Sequence, residues 1–235
     1  MISIIVPTYN EEKNIEKCLK ALKNQRSVKD EYEIIVVDGN STDKTVELAK
    51  KYADNVIFQK SKGIGGARND GASVANGNII ATTDADCIVS EDWLMKIESK
   101  FSENKDIIGI YGRDLPAESK PISIFAFICL DIVKSGGNIF GFHGMSGTNS
   151  AFRKQHFLKV KGYRDIHYAD DSEISIRLNG FGKIKYCRDM IVNVSTRRME
   201  KYGHFNTFGL CIAGYFQNRL KMPMFNRKIE KEIYE

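Results

Sequence analysis

The residues of this 235-residue chain that could do chemistry fall in a few short polar clusters. Asp84 and Asp86 stand one small residue apart at the end of the apolar run Asn78-Ile-Ile-Ala-Thr-Thr. Two carboxylates at i and i+2 suit a hard divalent cation that shares its shell with substrate phosphates. The same pair also suits a polar turn that closes a strand. Asp38 ends a second apolar run, Glu33-Ile-Ile-Val-Val, where a carboxylate can accept from a base N–H or a ribose hydroxyl. Arg68 lies near the start of a helical segment, a position from which a guanidinium can pair with a diphosphate. Asp170 and Asp171 open another helical segment, where acidic residues complement the helix dipole.

Strand ends and helix starts must hold these groups. Ile2-Ser-Ile-Ile-Val6 reads as a buried strand stopped by Pro7, with Thr8 to Glu12 as the loop that follows and Asn10 as a helix cap. Ile15, Cys18, Leu19 and Leu22 then recur at helical spacing. The strand ending at Asp38 leads through Gly39 to Asp43 into a helix that Ser41 or Thr42 can cap, and Asn55 to Phe58 forms a third strand. Gly63-Ile-Gly-Gly66 opens a further helix; it is neither the dinucleotide fingerprint nor a P-loop, and reads as a helix N-terminus that needs close packing. A helix carrying Trp93, Leu94, Ile97 and Phe101 and a strand from Ile107 to Tyr111 continue the alternation. Such β-α-β order predicts an α/β fold, a mainly parallel central sheet with helices on both faces. In sheets of this kind ligands sit beyond the carboxyl ends of the strands, so Pro7 to Glu11, Asp38 to Asp43, Arg68 and Asp84 to Asp86 are expected at one edge.

After Pro116 the pattern changes. Ile122 to Val133 is apolar nearly all round, so a helix there must be buried or lie against a partner or lipid. A glycine-rich loop is expected from Ser135 to Gly144, strand character from Ser146 to Phe152, and a helix from Asp170 to Leu178. Within that last helix Glu173 and Arg177 lie four apart, the spacing of a surface ion pair. The tail from Arg197 mixes basic and aromatic residues.

Composition narrows the class. Hydrophobic content of 42% and charged content of 28% are those of a globular domain. A net charge of +5 with a pI near 8.8 permits anionic substrates or a membrane surface, and no aromatic-interleaved basic motif points to nucleic acid. Five scattered cysteines with no CxxC pair argue against a zinc site or disulfide framework and for a reducing, cytoplasmic setting. The N-terminus carries no secretory pattern, and the longest apolar run falls short of the roughly 20 residues of a spanning helix.

The motifs IIVPTYNEE, EIIVVDGNSTDKT, GGARNDGA, TTDADC, SGTNSAFRK and ADDSEISIRL follow one another in the order that resembles glycosyltransferase family 2, over the chain from its N-terminus to about Lys185. The resemblance implies the GT-A nucleotide-sugar fold and an inverting transferase. It implies that Pro7, Thr8, Tyr9, Glu11 and Asp38 hold the nucleoside and that Arg68 steadies the diphosphate. It identifies Asp84-Ala-Asp86 as the family's DxD motif for Mn2+ or Mg2+. The family's Glu-Asp pair corresponds to Asp170-Asp171, which puts Asp171 in the place of the general base. Basic residues of the C-terminal region often close the diphosphate site in this family; Arg197 and Arg198 fit either that role or a solvated basic face. His204 fits a further metal ligand or a surface histidine.

These implications give a catalytic domain over 1–190, with a donor half to about 115 and an acceptor half from about 116, followed by a basic, aromatic and helical extension over 191–235. The expected donor is a nucleoside diphosphate sugar, with UDP the expected nucleotide, and the expected acceptor is a hydroxyl of a saccharide or lipid-linked saccharide. The Ile122 to Val133 run and the basic tail permit peripheral contact with an anionic membrane, and with it transfer to a polyprenyl phosphate. A non-catalytic nucleotide-sugar-binding module would carry damaged metal or base positions, and none is damaged.

Overall fold

The computed structural model describes residues 1–139, 143–166, 169–203 and 209. The apolar runs of the first half form the parallel strands they predict. β1 (Ile2–Thr8) pairs with β2 (Tyr32–Asp38), and β2 with β3 (Asn55–Phe58). On its other side β1 pairs with β4 (Ile79–Thr82). Because β1 neighbours both β2 and β4, the strand order reverses there and opens a crevice at the carboxyl edge.

Alternation along the strands sends side chains to two cores. Ile4, Val6, Ile34 and Val36 pack with Ile15, Cys18, Leu19 and Leu22 of α1 (Ile15–Lys23), with α2 (Thr45–Ala49) and with Trp93, Leu94, Ile97 and Phe101 of α4 (Trp93–Glu103). Ile5, Ile35 and Val37 face the opposite core with α3 (Gly63–Val74), α6 (Lys154–Lys159) and α7 (Asp170–Leu178).

The second half differs from expectation. β5 (Cys87–Val89) and β8 (Lys183–Val194) join β6 (Ile107–Pro116) and β7 (Ser150–Arg153) to complete the order β3-β2-β1-β4-β7-β6-β8-β5. The β4–β7, β6–β7 and β5–β8 pairings are antiparallel, so the sheet is parallel on one side of β4 and mixed on the other. β8 escaped the period-2 reading because it bulges: Gly112 pairs with Cys187 but Arg113 with Ile191, so Arg188 to Met190 slip the alternation out of phase. Asn149 fills the bulge. Its amide donates to Arg113 O (3.1 Å) and Met190 O (3.0 Å), and its Oδ1 accepts from Trp93 Nε1 (2.9 Å). β8 also runs through residue 190, so the expected boundary at 190/191 falls inside a strand.

Five local readings are corrected. Pro7 does not stop β1, which continues to Thr8. Ile5 O accepts from Thr83 on the β4 side, so two residues on the missing Pro7 donor also faces that side, where β4 has already ended. Asn10 is not a helix cap; it sits at φ 51°, and α1 begins only at Ile15. Neither Ser41 nor Thr42 caps α2, whose N-cap position is Lys44. The glycine-rich stretch from Ser135 continues α5 (Pro121–Ile139), which packs against β6 and β8, and strand character starts at Ser150 rather than Ser146. Of the extension, α8 (Arg197–Tyr202) is described.

Candidate active site

The side of the crevice where the resemblance implies the nucleoside is built from two loops laced together. Asn10 N donates to Ser41 Oγ (2.9 Å) and Asn10 Oδ1 accepts from Thr42 N (2.9 Å), which fixes the left-handed turn after β1. Glu11 N donates to Thr45 Oγ1 at 2.7 Å. Asp38 is fully buried, and its two oxygens accept from Ser41 Oγ (2.6 Å) and Ser41 N (2.9 Å). Asp38 therefore shapes its own loop in this structure and presents no open acceptor to the crevice. Pro7 is buried in β1, Thr8 ends that strand with a buried hydroxyl that has no hydrogen-bond partner, and Tyr9 is exposed at the rim.

Arg68 forms the centre. It projects from α3, is 2% exposed, and lies between the end of β4 and the start of α7. Nη2 meets Asp84 Oδ1 at 2.8 Å, while Nη1 meets Asp171 Oδ1 at 3.3 Å and Asp170 Oδ2 at 3.6 Å. The Tyr163 ring lies beneath the guanidinium, 5.4 Å from centroid to carbon. Burial alone would push the arginine down, but the carboxylates of Asp84 and Asp171, with Tyr163 and Asp170, hold it well above its ordinary range. One cation facing three carboxylates leaves an excess of negative charge. Burial and the neighbouring Asp170 push Asp171 up to about 7, opposed by Arg68. Burial also raises Asp170, against the pull of Arg68.

Two glycines allow this close approach. A Cβ on Gly147 would lie 2.1 Å from Arg68 Nη2, and one on Gly65 would lie 2.7 Å from Asp170 Oδ2. Gly147 also donates a backbone hydrogen bond to Asp171. The reading of the Gly63 to Gly66 run as close packing agrees with this geometry. Glu173 and Arg177, by contrast, form a mostly enclosed brace rather than a surface pair. Arg177 Nε donates to both Glu173 oxygens (2.8 Å each), Nη2 to Gly162 O (2.7 Å) and Nη1 to Val160 O, which fixes the loop leading to Tyr163.

A second arginine closes the rim. Arg197, at the start of α8, bridges Glu11 and Asp86, with Nη2 3.1 Å from Asp86 Oδ2. Its side chain is about half exposed, unlike that of Arg68. The structure thus brings Glu11, Arg68, Asp84, Asp86, Asp170, Asp171 and Arg197 to one crevice. The side chain of Arg198 and all of His204 lie outside the described residues. Tyr163 and Gly147 were not singled out from sequence, because neither carries a local signal; they matter through contacts with Arg68 across the fold.

Among the described residues no three His, Cys, Asp or Glu side chains cluster as metal ligands. Asp84 and Asp86 supply two carboxylates at the mouth, with side chains 19% and 17% exposed. A hard divalent cation that keeps water and substrate phosphates needs only one or two carboxylates from the protein, so the donor set fits Mg2+ or Mn2+.

A family model described as glycosyl transferase family 2 matches residues 3–160. Glycosyltransferase AglE of Haloferax volcanii is 38% identical over 115 residues, which are 46% of this chain and 38% of that protein. The poly(ribitol-phosphate) beta-glucosyltransferase of Bacillus spizizenii is 37% identical over 128 residues, 49% of this chain and 20% of that protein. The chain thus spans less than half the length of these relatives. Among solved structures, the mannosyltransferase PcManGT of Pyrobaculum calidifontis, in complex with GDP-Man and Mn2+, superposes with a TM-score of 0.69 at 18% identity, covering 99% of this chain and 68% of that one. TarS 1-349 of S. aureus, in complex with UDP-GlcNAc, gives 0.67 at 20%, covering 99% and 70%. These two share the fold, the GT-A fold that the sequence resemblance implies. With the family model spanning both β4, which leads to Asp84, and the Arg68 helix, this chain belongs to glycosyl transferase family 2.

Proposed function

We propose that this chain transfers a sugar from a nucleoside diphosphate sugar to an acceptor hydroxyl with inversion at the anomeric carbon. The observation that carries the reading is the Arg68 node, in which one buried cation joins the first carboxylate of the DxD motif to the Asp170–Asp171 pair. Donor end and base are thereby held in one rigid unit.

Asp171 takes the proton of the acceptor hydroxyl as its oxygen attacks the anomeric carbon, and the bond to the diphosphate breaks on the opposite face. A base poised near 7 is matched to that task and contributes about 10²–10⁴-fold. Asp86, with Asp84, would hold the divalent cation, which when bound neutralises charge on the departing diphosphate. Glu11 and Thr8 line the nucleoside side, with Tyr9 at the rim and Asp38 ordering the loop through Ser41. Arg68 orients Asp84 through their ion pair, and Arg197, now paired with Glu11 and Asp86, turns to the diphosphate when donor arrives. A phosphate acceptor is already ionised and needs no base, so the intact Asp171 supports a hydroxyl acceptor.

The solved relatives carry different bases, GDP-Man and UDP-GlcNAc, so the test spans UDP-, GDP- and dTDP-sugars with and without Mn2+. Slow hydrolysis of one donor class, dependent on the cation and lost in Asp86→Ala, is the expected result. Binding of nucleotide without hydrolysis or transfer from any donor would instead mark a non-catalytic module.

A further inference from the structure

Helix α5 is built inside out. Between Pro121 and Lys134 its only charged residues are Asp131 and Lys134, and both lie on the buried face with the fully buried Ser123. Asp131 Oδ2 accepts from Arg188 Nη2 at 2.9 Å and lies 3.3 Å from Arg113 Nε, while its Oδ1 accepts from the Tyr186 hydroxyl. Lys134 Nζ donates to Asp114 Oδ2 (2.6 Å) and Gly112 O (3.2 Å). The opposite face carries Ile122, Ile124, Phe125, Ile128, Ile132 and Val133, with Phe125 64% and Ile132 65% exposed and the other four 41–51%. On one helix these side chains present on the order of 600 Å² of contiguous apolar surface, at or above the largest patch usual for a monomer.

The buried polar face fixes this orientation. Rolling the helix to hide the apolar stripe would strip Asp131 and Lys134 of their partners and leave buried charges unpaired, which is strongly unfavourable. The stripe is therefore held outward by the network behind it.

The surroundings of the helix indicate what it meets. α8 lies beside the start of α5, where Lys120 Nζ meets Glu200 Oε2 at 2.7 Å and Glu118 Oε2 accepts from Thr196 N at 2.8 Å. From that point the sequence runs from Lys201 to Lys228 with five basic residues, six aromatic residues and no Asp or Glu. A second copy of this +5 chain would bring like net charges together. An anionic bilayer accepts both features at once, apolar side chains in the acyl boundary and basic side chains among the head groups.

We propose that α5 is an interfacial helix that seats its Ile122 to Val133 face in a membrane containing anionic lipid. No described helix is long and apolar enough to cross the membrane, so the association is peripheral through this element.

The test is flotation of the full chain with vesicles of phosphatidylcholine alone and of phosphatidylcholine with phosphatidylglycerol. The wild type is expected to float with the anionic vesicles. The double variant Phe125→Ser, Ile132→Ser is expected to lose bound fraction about tenfold or more, because two of the largest inserted side chains are gone. Its circular dichroism, thermal midpoint and lipid-free donor hydrolysis should stay unchanged. Phe125→Trp supplies a direct reporter, since the single native tryptophan, Trp93, is fully buried. Its emission should shift to the blue on addition of anionic vesicles and be quenched by brominated lipid. Absence of flotation overturns the proposal. So does undiminished flotation of the double variant, which would assign binding to the basic segment alone. A dimer in sedimentation that the double variant dissociates would assign the face to a second copy and also overturn it.

Discussion

Two arginines close the same Asp84-Ala-Asp86 motif from opposite ends, and their surroundings differ. Arg68 comes from α3, is almost wholly enclosed, stacks on Tyr163 and faces Asp84, Asp170 and Asp171. Arg197 comes from α8, is about half exposed, and faces Asp86 and Glu11. A buried cation cannot leave without exposing several uncompensated carboxylates to low dielectric, so Arg68 is a fixed part of the site. A rim cation is screened by water and exchanges at little cost. The motif thus has a permanent partner at its first aspartate and a replaceable one at its second, which is the arrangement needed if Asp86 is to take up a divalent cation during turnover.

The comparison breaks most visibly at Arg68. Arg68→Met should destabilise the fold by about 3–5 kcal/mol, because it leaves buried charge unpaired, and should abolish transfer. Urea unfolding and product assay read the two effects. Arg68→Lys should not restore transfer, since an ammonium cannot span Asp84 and Asp171 as a planar fork does.

Asp171→Asn separates chemistry from stability. The rate of transfer should fall by about 10²–10⁴-fold, whereas the thermal midpoint should hold or rise, because a buried carboxylate with a raised pKa disfavours folding once ionised. The sign follows from linkage: with the folded value near 7 and the unfolded value near 3.8, the wild type loses stability as pH rises through that window, and the variant should lose less. The wild-type kcat/KM should show an acid limb near 7 that is absent from the residual activity of the variant. A variant with full transfer activity would remove Asp171 from the role of base.

Gly147→Ala probes how closely the loop covers Arg68. Its Cβ would collide with the guanidinium, so Arg68 or the loop must shift, at a cost of about 1–3 kcal/mol typical of overpacking. Because the loop also donates to Asp171, kcat should fall more than KM rises.

Arg197→Ala should change stability least, by under about 1 kcal/mol for an exposed pair. It should tighten Mn2+ binding in the absence of nucleotide, measured by electron paramagnetic resonance of free Mn2+, because Asp86 loses a competing cation. Unchanged Mn2+ affinity would show that Arg197 and the cation do not compete.

Much of this site was legible along the chain. Asp38 and Asp84 stand at strand ends because the apolar runs before them are buried on both faces, and such runs reveal themselves locally. Legibility ended where contacts were distant. Arg68 and Asp171 are 103 residues apart, and only the sheet order brings them together. Asp38 looked like an open acceptor; its accessibility depended on how Ser41 folded back over it. β8 was hidden by its own bulge, which Asn149 stabilises from the bend just before β7.

The sequence by itself determined the alternation of strands and helices, the family, and which residue types stand at the crevice edge. These follow from periodicity and from motifs that a few neighbouring residues define. Tertiary structure alone decided which carboxylates share Arg68, which glycines must be bare, and which way α5 faces. The physical reason is the same in each case. An apolar run such as Ile122 to Val133 records that burial is favourable but not against what, and α5 turned its charges inward because Arg113, Arg188 and Asp114, distant in sequence, were there to receive them.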